Sequence, residues 1–200
     1  MNTLFSSATP KIIRETSDGY IPVEIRDDMF SRREIICTGK IDSDSANSLI
    51  LQLRQLAYED PYAEISMFIN SPGGEVTSGL AIYDVMQTIP CKIRTVCTGM
   101  AASFGAILFM AGDTREMLPH SKLMIHDPLI MGGGINGSAL EVKKEAEKLI
   151  ETKQILSEII AKHSQRSLEE VSAKTEETTY FTPQEAIEFG IADKIISSFM

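Results

Sequence analysis

Residues 93–111 read IRTVCTGMAASFGAILFMA, and their pattern is the most informative about the fold. It predicts a strand over Ile93–Thr98, a turn, and a short, fully apolar helix over Ala101–Ala111. An uncharged run of 18 residues, Thr95–Gly112, overlaps it and lies at the lower limit for a membrane-spanning helix. Glycine and hydroxyl side chains interrupt that run. We therefore interpret it as the buried core of a globular domain and expect no membrane segment.

Strand-like and helical patterns alternate on both sides of this stretch. Apolar strand-like runs lie at Glu34–Cys37, Ile65–Ile69 and Lys122–His126. Helical spacing of apolar residues is found over residues 43–56, 80–86 and, in the longest pattern, Ser138–His163. Alternation of this kind predicts an α/β fold with a mainly parallel sheet.

The 200 residues have the length of one domain, and no linker or repeat divides them. We assign residues 1–32, which are polar and mixed in charge, to an irregular N-terminal arm, and residues 33–200 to a single domain. A helix over about residues 138–163 would be roughly 39 Å long at a rise of about 1.5 Å per residue. That is longer than a domain of this size needs, so we expect the helix to project and to pack against another subunit.

Composition excludes several classes of function. Lys and Arg number 19 against 28 Asp and Glu, and the resulting net charge of −9 repels phosphate backbones, so we expect no nucleic-acid partner. The three cysteines, Cys37, Cys91 and Cys97, lack CxxC spacing and indicate neither a disulfide framework nor a zinc site. No other metal-ligand pattern is present, so we expect no metal. Free thiols and an N-terminus unlike a signal peptide favour a cytoplasmic location.

Ser103 lies where the predicted strand turns into the apolar helix. Ala101-Ala102-Ser103-Phe104-Gly105 follows the nucleophile-elbow pattern G-x-S-x-G, with alanine as the first small residue. The alternative is a serine that only caps a buried helix. His126 ends a strand-like run, where it could take a proton from a serine. His120 and His163 have the settings of ordinary structural or surface histidines.

Two glycine-rich segments are candidates for binding sites. In Asn70-Ser71-Pro72-Gly73-Gly74 the consecutive glycines allow close approach of the backbone to a ligand, and their N–H groups could complete an oxyanion hole. A simple turn between a strand and a helix is the alternative. No Gly-Lys-Ser/Thr follows, so this is not a phosphate-binding loop. Gly132–Gly134 is more typical of a flexible loop than of a nucleotide site.

Together these segments closely resemble the proteolytic subunit of the Clp protease family. The matching stretches are INSPGG at 69–74, TGMAASFG at 98–105, LP at 118–119 with MIHDP at 124–128, and EA at 185–186 with FGIAD at 189–193. They occur in the family's order and approximate spacing, and the resemblance runs from about Arg33 to Ile196. Each motif alone is weak, but several in register make a strong signal.

The resemblance implies a fold, an activity and an assembly. The fold is a crotonase-like spiral of ββα units with the long helix as a projecting handle. The activity is that of a serine endopeptidase, with Ser103 as nucleophile, His126 as general base, and the backbone N–H groups of Gly74 and Phe104 as the oxyanion hole. The assembly is a tetradecamer of two stacked homo-heptameric rings, fed with unfolded proteins by a partner AAA+ Clp unfoldase. Because that partner uses the ATP, this chain is expected to need no cofactor.

The sequence departs from the family pattern at several places. Thr178 stands at the position of the triad Asp, seven residues before Glu185, and Glu176 and Glu177 lie nearby. Glu177 itself replaces the family's Arg in a segment that helps to join the two rings. Asp127 stands where Gln is usual, and the N-terminal arm matches only loosely.

Two alternatives stay open beside an active peptidase. One is a catalytically weak paralogue that acts as a structural or regulatory ring with an active sister subunit, and Thr178 favours it. The other is an acyl-CoA enzyme of the same fold that uses glycine N–H groups to hold an enolate. Because Ser103 and His126 are superfluous for enolate chemistry, the peptidase is the leading hypothesis.

Overall fold

A seven-stranded sheet lies at the centre of the part of the chain that the computed structural model describes, which is residues 10–17, 19–129 and 137–199. The strands are β1 (Lys11–Thr16), β2 (Gly19–Glu24), β3 (Glu34–Ile41), β4 (Ile65–Gly74), β5 (Ile93–Ala102), β6 (Thr114–Met117), β7 (Lys122–Ile125), β8 (Thr179–Phe181) and β9 (Lys194–Ile195). The helices are α1 (Ile25–Ser31), α2 (Ser43–Glu59), α3 (Val76–Thr88), α4 (Phe104–Met110), α5 (Ala139–Ser164), α6 (Leu168–Thr175) and α7 (Pro183–Phe189).

The strand order explains how the sheet reaches the candidate site. The sheet runs β3-β4-β5-β6-β9, and the C-terminal end of β5 leaves β6 and pairs with β7, which in turn pairs with β8. In the described sheet every pairing is parallel except that of β7 with β8. The prediction of an α/β fold with a mainly parallel sheet is confirmed.

The core lies between the sheet and the helices that cover it. Ile65, Met67 and Ile69 of β4 are fully buried, and so is every residue of the short helix α4. Burial of apolar area at about 25 cal/mol per Å² is the main favourable term in folding. The uncharged stretch is therefore core, as predicted. Within the described residues, no helix combines the length and the apolar character that crossing a membrane requires.

The long helix α5 has the bounds that its sequence predicts to within one residue. It begins with a capping box, in which the Ser138 side chain accepts from the Glu141 N–H and the Glu141 side chain accepts from the Ser138 N–H. Its buried residues, Ser157, Ile160 and Ser164, all lie in its last third. The N-terminal part of α5 has no buried residue and extends away from the core, as expected for a projecting helix.

The prediction of an irregular arm over residues 1–32 is wrong for most of the described part. Strands β1 and β2 form an antiparallel hairpin, and α1 follows directly. Most of the hairpin's residues are exposed, so its strands carry no alternation of buried and exposed positions that the sequence could reveal. Residues 1–9 lie outside the described residues.

Two predicted boundaries are also wrong, because strand pairing extends past the apolar runs. Asn70–Gly74, predicted as a loop, continues β4, and its last two residues pair with Lys40 and Ile41 of β3. Ala101 and Ala102, predicted as helix, belong to β5 and pair with β7. Strands β6, β8 and β9 have only two to four residues each, too few for a periodic signal. The predicted loop at Gly132–Gly134 lies outside the described residues.

Candidate active site

Strands β5 and β7 bring Ser103 and His126 to one edge of the sheet. The two strands are parallel neighbours in which Ala102 lies opposite Met124, and the Ser103 N–H donates to the Met124 carbonyl oxygen at 2.8 Å. Neighbouring parallel strands end at the same edge of a sheet, so the residues that follow them meet there. Ser103 and His126 accordingly line one cleft of about 580 Å³.

The backbone at Ser103 has an unusual conformation. Its φ of 53° and ψ of −123° lie in a region that residues other than glycine rarely adopt. The residues around it have little room: Ala101 is fully buried, and a Cβ atom on Gly105 would lie 3.1 Å from the Ser71 carbonyl oxygen. This sharp turn is what the nucleophile-elbow pattern predicts. The Ser103 side chain makes no capping hydrogen bond to the described helix α4, which argues against a mere cap.

Two backbone N–H groups lie beside Ser103. That of Phe104 is the first N–H of α4, where no earlier helical carbonyl accepts from it. The Glu75 N–H donates to the Ile41 carbonyl oxygen at 2.8 Å. Gly74, the residue before Glu75, lines the cleft beside Ser103 and Phe104.

Close contacts with neighbouring backbone require glycine at positions 73 and 74. Gly73 has a φ of 89°, and a Cβ atom there would lie 2.7 Å from Ser103 Cβ and 2.9 Å from the Phe104 nitrogen. A Cβ atom on Gly74 would lie 1.9 Å from the Ile41 carbonyl oxygen. All three distances are shorter than van der Waals contact. The glycine pair therefore does more than form a turn: Gly73 lets β4 approach the backbone that carries Ser103, and Gly74 lets it approach Ile41 of β3.

His126 lies on the opposite wall, one residue beyond β7. Its ring is half-buried, and its Nδ1 atom is fully buried with no hydrogen-bond partner among the described residues. Among the described residues, no hydrogen bond joins the side chains of Ser103 and His126. Catalytic hydrogen bonds are often loose in unliganded enzymes and tighten only around the substrate. Leaving a buried polar nitrogen without a partner costs about 1–3 kcal/mol, so this atom requires an explanation.

The two carboxylate oxygens of Asp127 have different surroundings. Oδ2 lies 2.6 Å from Nζ of Lys153 on α5, whereas Oδ1 is buried and has no partner among the described residues. The Asp127 N–H donates to the Thr175 carbonyl oxygen at 2.8 Å, which fixes the backbone beside the end of α6. A half-paired carboxylate thus directly follows the candidate base.

The three candidates for a missing triad acid do not bind His126. The antiparallel register pairs Ile125 with Thr179, and continuing it by one residue places Thr178 opposite His126. Thr178, Glu176 and Glu177 are all exposed. The unpartnered His126 Nδ1 shows that none of the three side chains reaches it by a hydrogen bond.

The other two histidines have structural or surface settings. His120 is exposed in a turn. His163 Nε2 lies 3.0 Å from the Tyr83 hydroxyl, and burial, together with the nearby charges of Lys162 and Arg115, lowers its pKa to about 4. Neither histidine lines the Ser103 cleft.

The rest of the cleft wall is largely apolar, and sequence analysis did not assign these residues to the site. The apolar side chains come from α3, α4, β7 and α5 and from the segment after β7; they are Val76, Ile107, Ile125, Pro128, Leu129, Leu156 and Ile160. Lys40 and Glu75, both exposed, add opposite charges. The spacing of four between Leu156 and Ile160 is a signal that could have indicated one wall, since both positions share one face of α5.

The described residues include no group of three or more His, Cys, Asp or Glu side chains placed to hold a metal ion. The three cysteines are buried and free, and burial raises the pKa of the Cys37 thiol to about 12. Because the thiolate is the reactive form, Cys37 is held in an unreactive state.

The family model described as Clp protease matches residues 18–199, which is most of the chain. The chain belongs to the Clp protease family. It is also 38% identical over 191 residues to a protein named ATP-dependent Clp protease proteolytic subunit from Bdellovibrio bacteriovorus, an alignment that covers 94% of this chain and 90% of that protein. The resemblance inferred from short motifs is thus confirmed.

Membership of the Clp protease family also settles the fold class. The mixed α/β architecture, with its mostly parallel sheet and covering helices, is consistent with the family's crotonase-like fold. The family is one of serine peptidases, which leaves the acyl-CoA enzyme hypothesis without support.

Proposed function

We propose that this Clp protease family chain is a serine endopeptidase subunit, with Ser103 as nucleophile and His126 as general base. One observation carries the proposal: a serine in a strained elbow conformation shares a cleft with a histidine and two backbone N–H groups. Each feature alone has a structural explanation. Their meeting at one edge of the sheet supports an acyl-transfer site.

The proposed reaction is peptide-bond hydrolysis through an acyl-enzyme. His126 Nε2 accepts the proton of the Ser103 hydroxyl as Oγ attacks the peptide carbonyl carbon. The N–H groups of Gly74 and Phe104 donate to the oxyanion, and loss of one such donor in a serine protease costs about 10²–10³ in kcat. Protonated His126 then gives its proton to the leaving amine as the C–N bond breaks. A water molecule, deprotonated by His126, hydrolyses the ester on Ser103.

The cleft walls favour peptides with apolar side chains. Apolar groups of Val76, Leu129, Leu156 and Ile160 outnumber charged ones there, and burying an apolar substrate side chain among them is favourable by about 25 cal/mol per Å². An acidic or basic side chain would lose its hydration without gaining a buried partner. We therefore expect cleavage beside apolar residues of unfolded proteins.

The proposals for assembly and partners rest on the family and on exposed apolar side chains of α5. Large apolar side chains on this helix are exposed, namely Leu140, Val142, Ile150 and Ile155. Contact with a second copy of the chain would bury them, in line with homo-heptameric rings stacked as a tetradecamer. The name of the Bdellovibrio relative includes ATP dependence. For this chain we propose a partner AAA+ Clp unfoldase that uses the ATP, no cofactor of its own, and a cytoplasmic location.

A second candidate is a catalytically weak subunit that works beside an active sister subunit. The unpartnered His126 Nδ1 favours it, because a histidine held in no fixed orientation is a poor base. The Ser103 elbow and its glycine wall favour the active subunit, since an idle site has no use for strained backbone.

A matched pair of proteins separates these candidates. Wild type and Ser103→Ala would be compared for hydrolysis of fluorogenic peptides with a leucine or a glutamate before the reporter group, and for size by sedimentation. We expect leucine-dependent hydrolysis by the wild type only, with equal assembly of both proteins. Equal hydrolysis by both would overturn the site. Absence of hydrolysis from a fully assembled wild type would favour the weak subunit.

A further inference from the structure

We propose that Asp127 is the positioning residue of this site, whose carboxylate accepts a hydrogen bond from His126 Nδ1–H. The inference rests on the proposed function. Two side-chain atoms in the described residues are buried without a partner, and they are His126 Nδ1 and Asp127 Oδ1. One can donate, the other can only accept, and they belong to consecutive residues.

The other carboxylates near β8 are poorly placed for this role. Glu176 and Glu177 are exposed, and Thr178 carries no charge. Asp127 is partly buried, its N–H is anchored to the Thr175 carbonyl oxygen, and Lys153 holds only one of its oxygens. The free oxygen is therefore the carboxylate oxygen at hand for His126.

Formation of this bond requires the two side chains to rotate toward each other. Adjacent Cα atoms lie about 3.8 Å apart, so an imidazole and a carboxylate on neighbouring residues can turn toward each other over their shared backbone. The bond would leave the lone pair of Nε2 for Ser103 and would place a negative charge beside the imidazolium that forms.

The test uses the assembled protein and four variants. Asp127→Asn removes the charge with little change of shape, and Asp127→Glu keeps it. Lys153→Met is the matched control, because it breaks the same ion pair but leaves the carboxylate. The double variant Asp127→Asn with Thr178→Asp supplies a carboxylate from the position opposite His126. Readouts are kcat, KM, the pH profile of kcat/KM, and the His126 Nδ1–H signal in solid-state NMR of ¹⁵N-histidine-labelled protein.

Asp127→Asn is expected to lower kcat by about 10²–10⁴ with little change in KM, as loss of the orienting Asp does in the serine-protease template. The acidic limb of its kcat/KM profile should move to lower pH, because the protonated imidazole of His126 loses a neighbouring negative charge. The kcat of Lys153→Met should stay within about fivefold of the wild-type value, because a partly exposed ion pair contributes little. The acidic limb of its kcat/KM profile should move to higher pH, because a nearby positive charge is removed. Asp127→Glu and the double variant should each have a kcat at least about tenfold higher than that of Asp127→Asn.

The other charged groups that line the cleft, Lys40 and Glu75, are unchanged in all variants. Equal losses in Asp127→Asn and Lys153→Met with an unshifted pH profile would show a structural ion pair and overturn the proposal. Wild-type activity in Asp127→Asn would overturn it too. The NMR signal separates this proposal from the proposed function: a wild-type Nδ1–H bond that is lost in Asp127→Asn supports positioning even if no peptide is cleaved.

Discussion

The two sides of the cleft differ in how fully their polar groups are partnered. We call Ser103, Phe104 and Gly73–Gly74 the Ser103 wall, and His126 with its neighbours Asp127 and Thr178 the His126 wall. On the Ser103 wall the Ser103 N–H donates to Met124, and the Gly73 N–H donates to the Ser71 hydroxyl at 3.1 Å. On the His126 wall, His126 Nδ1 and Asp127 Oδ1 are buried without partners in the described residues. The first wall is held by hydrogen bonds from its backbone N–H groups, and the second has two buried side-chain atoms without a partner. We therefore expect the level of activity to depend on the His126 wall.

This difference coincides with the departures of the sequence from its family. The Ser103 wall keeps both family motifs, whereas the His126 wall carries Asp127 and Thr178 in place of the usual residues. Crowding explains the contrast. A Cβ on Gly74 meets backbone at 1.9 Å, so that position tolerates no side chain, while exposed Thr178 is free of such contacts.

The largest expected effect in the comparison belongs to Gly73→Ala. Its Cβ would collide with Ser103 and displace the Phe104 N–H, so we expect kcat to fall by about 10²-fold or more, as when an oxyanion donor is lost. Gly39→Ala is the control, because Gly39 has a similar φ of 74° but no atom within 4 Å of the added Cβ. It should cost about 1–3 kcal/mol of unfolding free energy and leave kcat unchanged. Equal kcat values in the two variants would refute the rigid Ser103 wall.

A smaller effect is expected from Thr178→Asp in the wild-type background. If Asp127 already supplies the carboxylate, a second one opposite His126 changes kcat by less than about tenfold. A site that lacks its acid should instead gain up to about 10⁴-fold. Steady-state kinetics on the assembled protein distinguish the two results, and a gain of several hundredfold would assign the site to the weak paralogue.

The smallest expected effect concerns His163, which lies outside the cleft and whose Nε2 lies 3.0 Å from the Tyr83 hydroxyl. The pKa of His163 is lowered from 6.5 to about 4, so the unfolded chain takes up its proton first as the pH falls. The contribution to stability is complete above about pH 6.5 and is lost toward pH 4. After allowance for solvent screening at this half-buried ring, we expect a loss of about 1 kcal/mol that His163→Gln does not show. Urea unfolding of both proteins at pH 7.5 and 4.5 measures it, and parallel losses would contradict the assignment.

Local patterns predicted the elements that carry their own signals. The helix over Ser138–His163 was correct to within one residue because its cap and its apolar stripe are both local. Ser103 and His126 could be placed together because parallel strands end at one edge. The N-terminal hairpin was missed because exposed strands show no alternation, and the extended Gly73–Gly74 segment because it depends on pairing with distant Lys40 and Ile41.

The polar contacts of the His126 wall could not be predicted from the sequence for the same reason, since they depend on residues that are distant in the chain. The ion pair between Asp127 and Lys153 joins residues that are 26 apart in sequence. The exposure of Glu176 and Glu177 depends on how the chain continues from α6 into β8. Neither feature leaves a periodic trace, so the sequence names candidate acids without choosing among them.

The most direct test of Ser103 as an activated nucleophile is the intact mass of the purified, assembled protein after treatment with a fluorophosphonate. The reagent reacts with serines that a neighbouring base activates, so it reports on Ser103 and His126 together. We predict one adduct per chain in the wild type and none in Ser103→Ala. A wild type that assembles fully but stays unlabelled, or a Ser103→Ala variant that still gains the adduct, would contradict the assignment of this cleft as the active site.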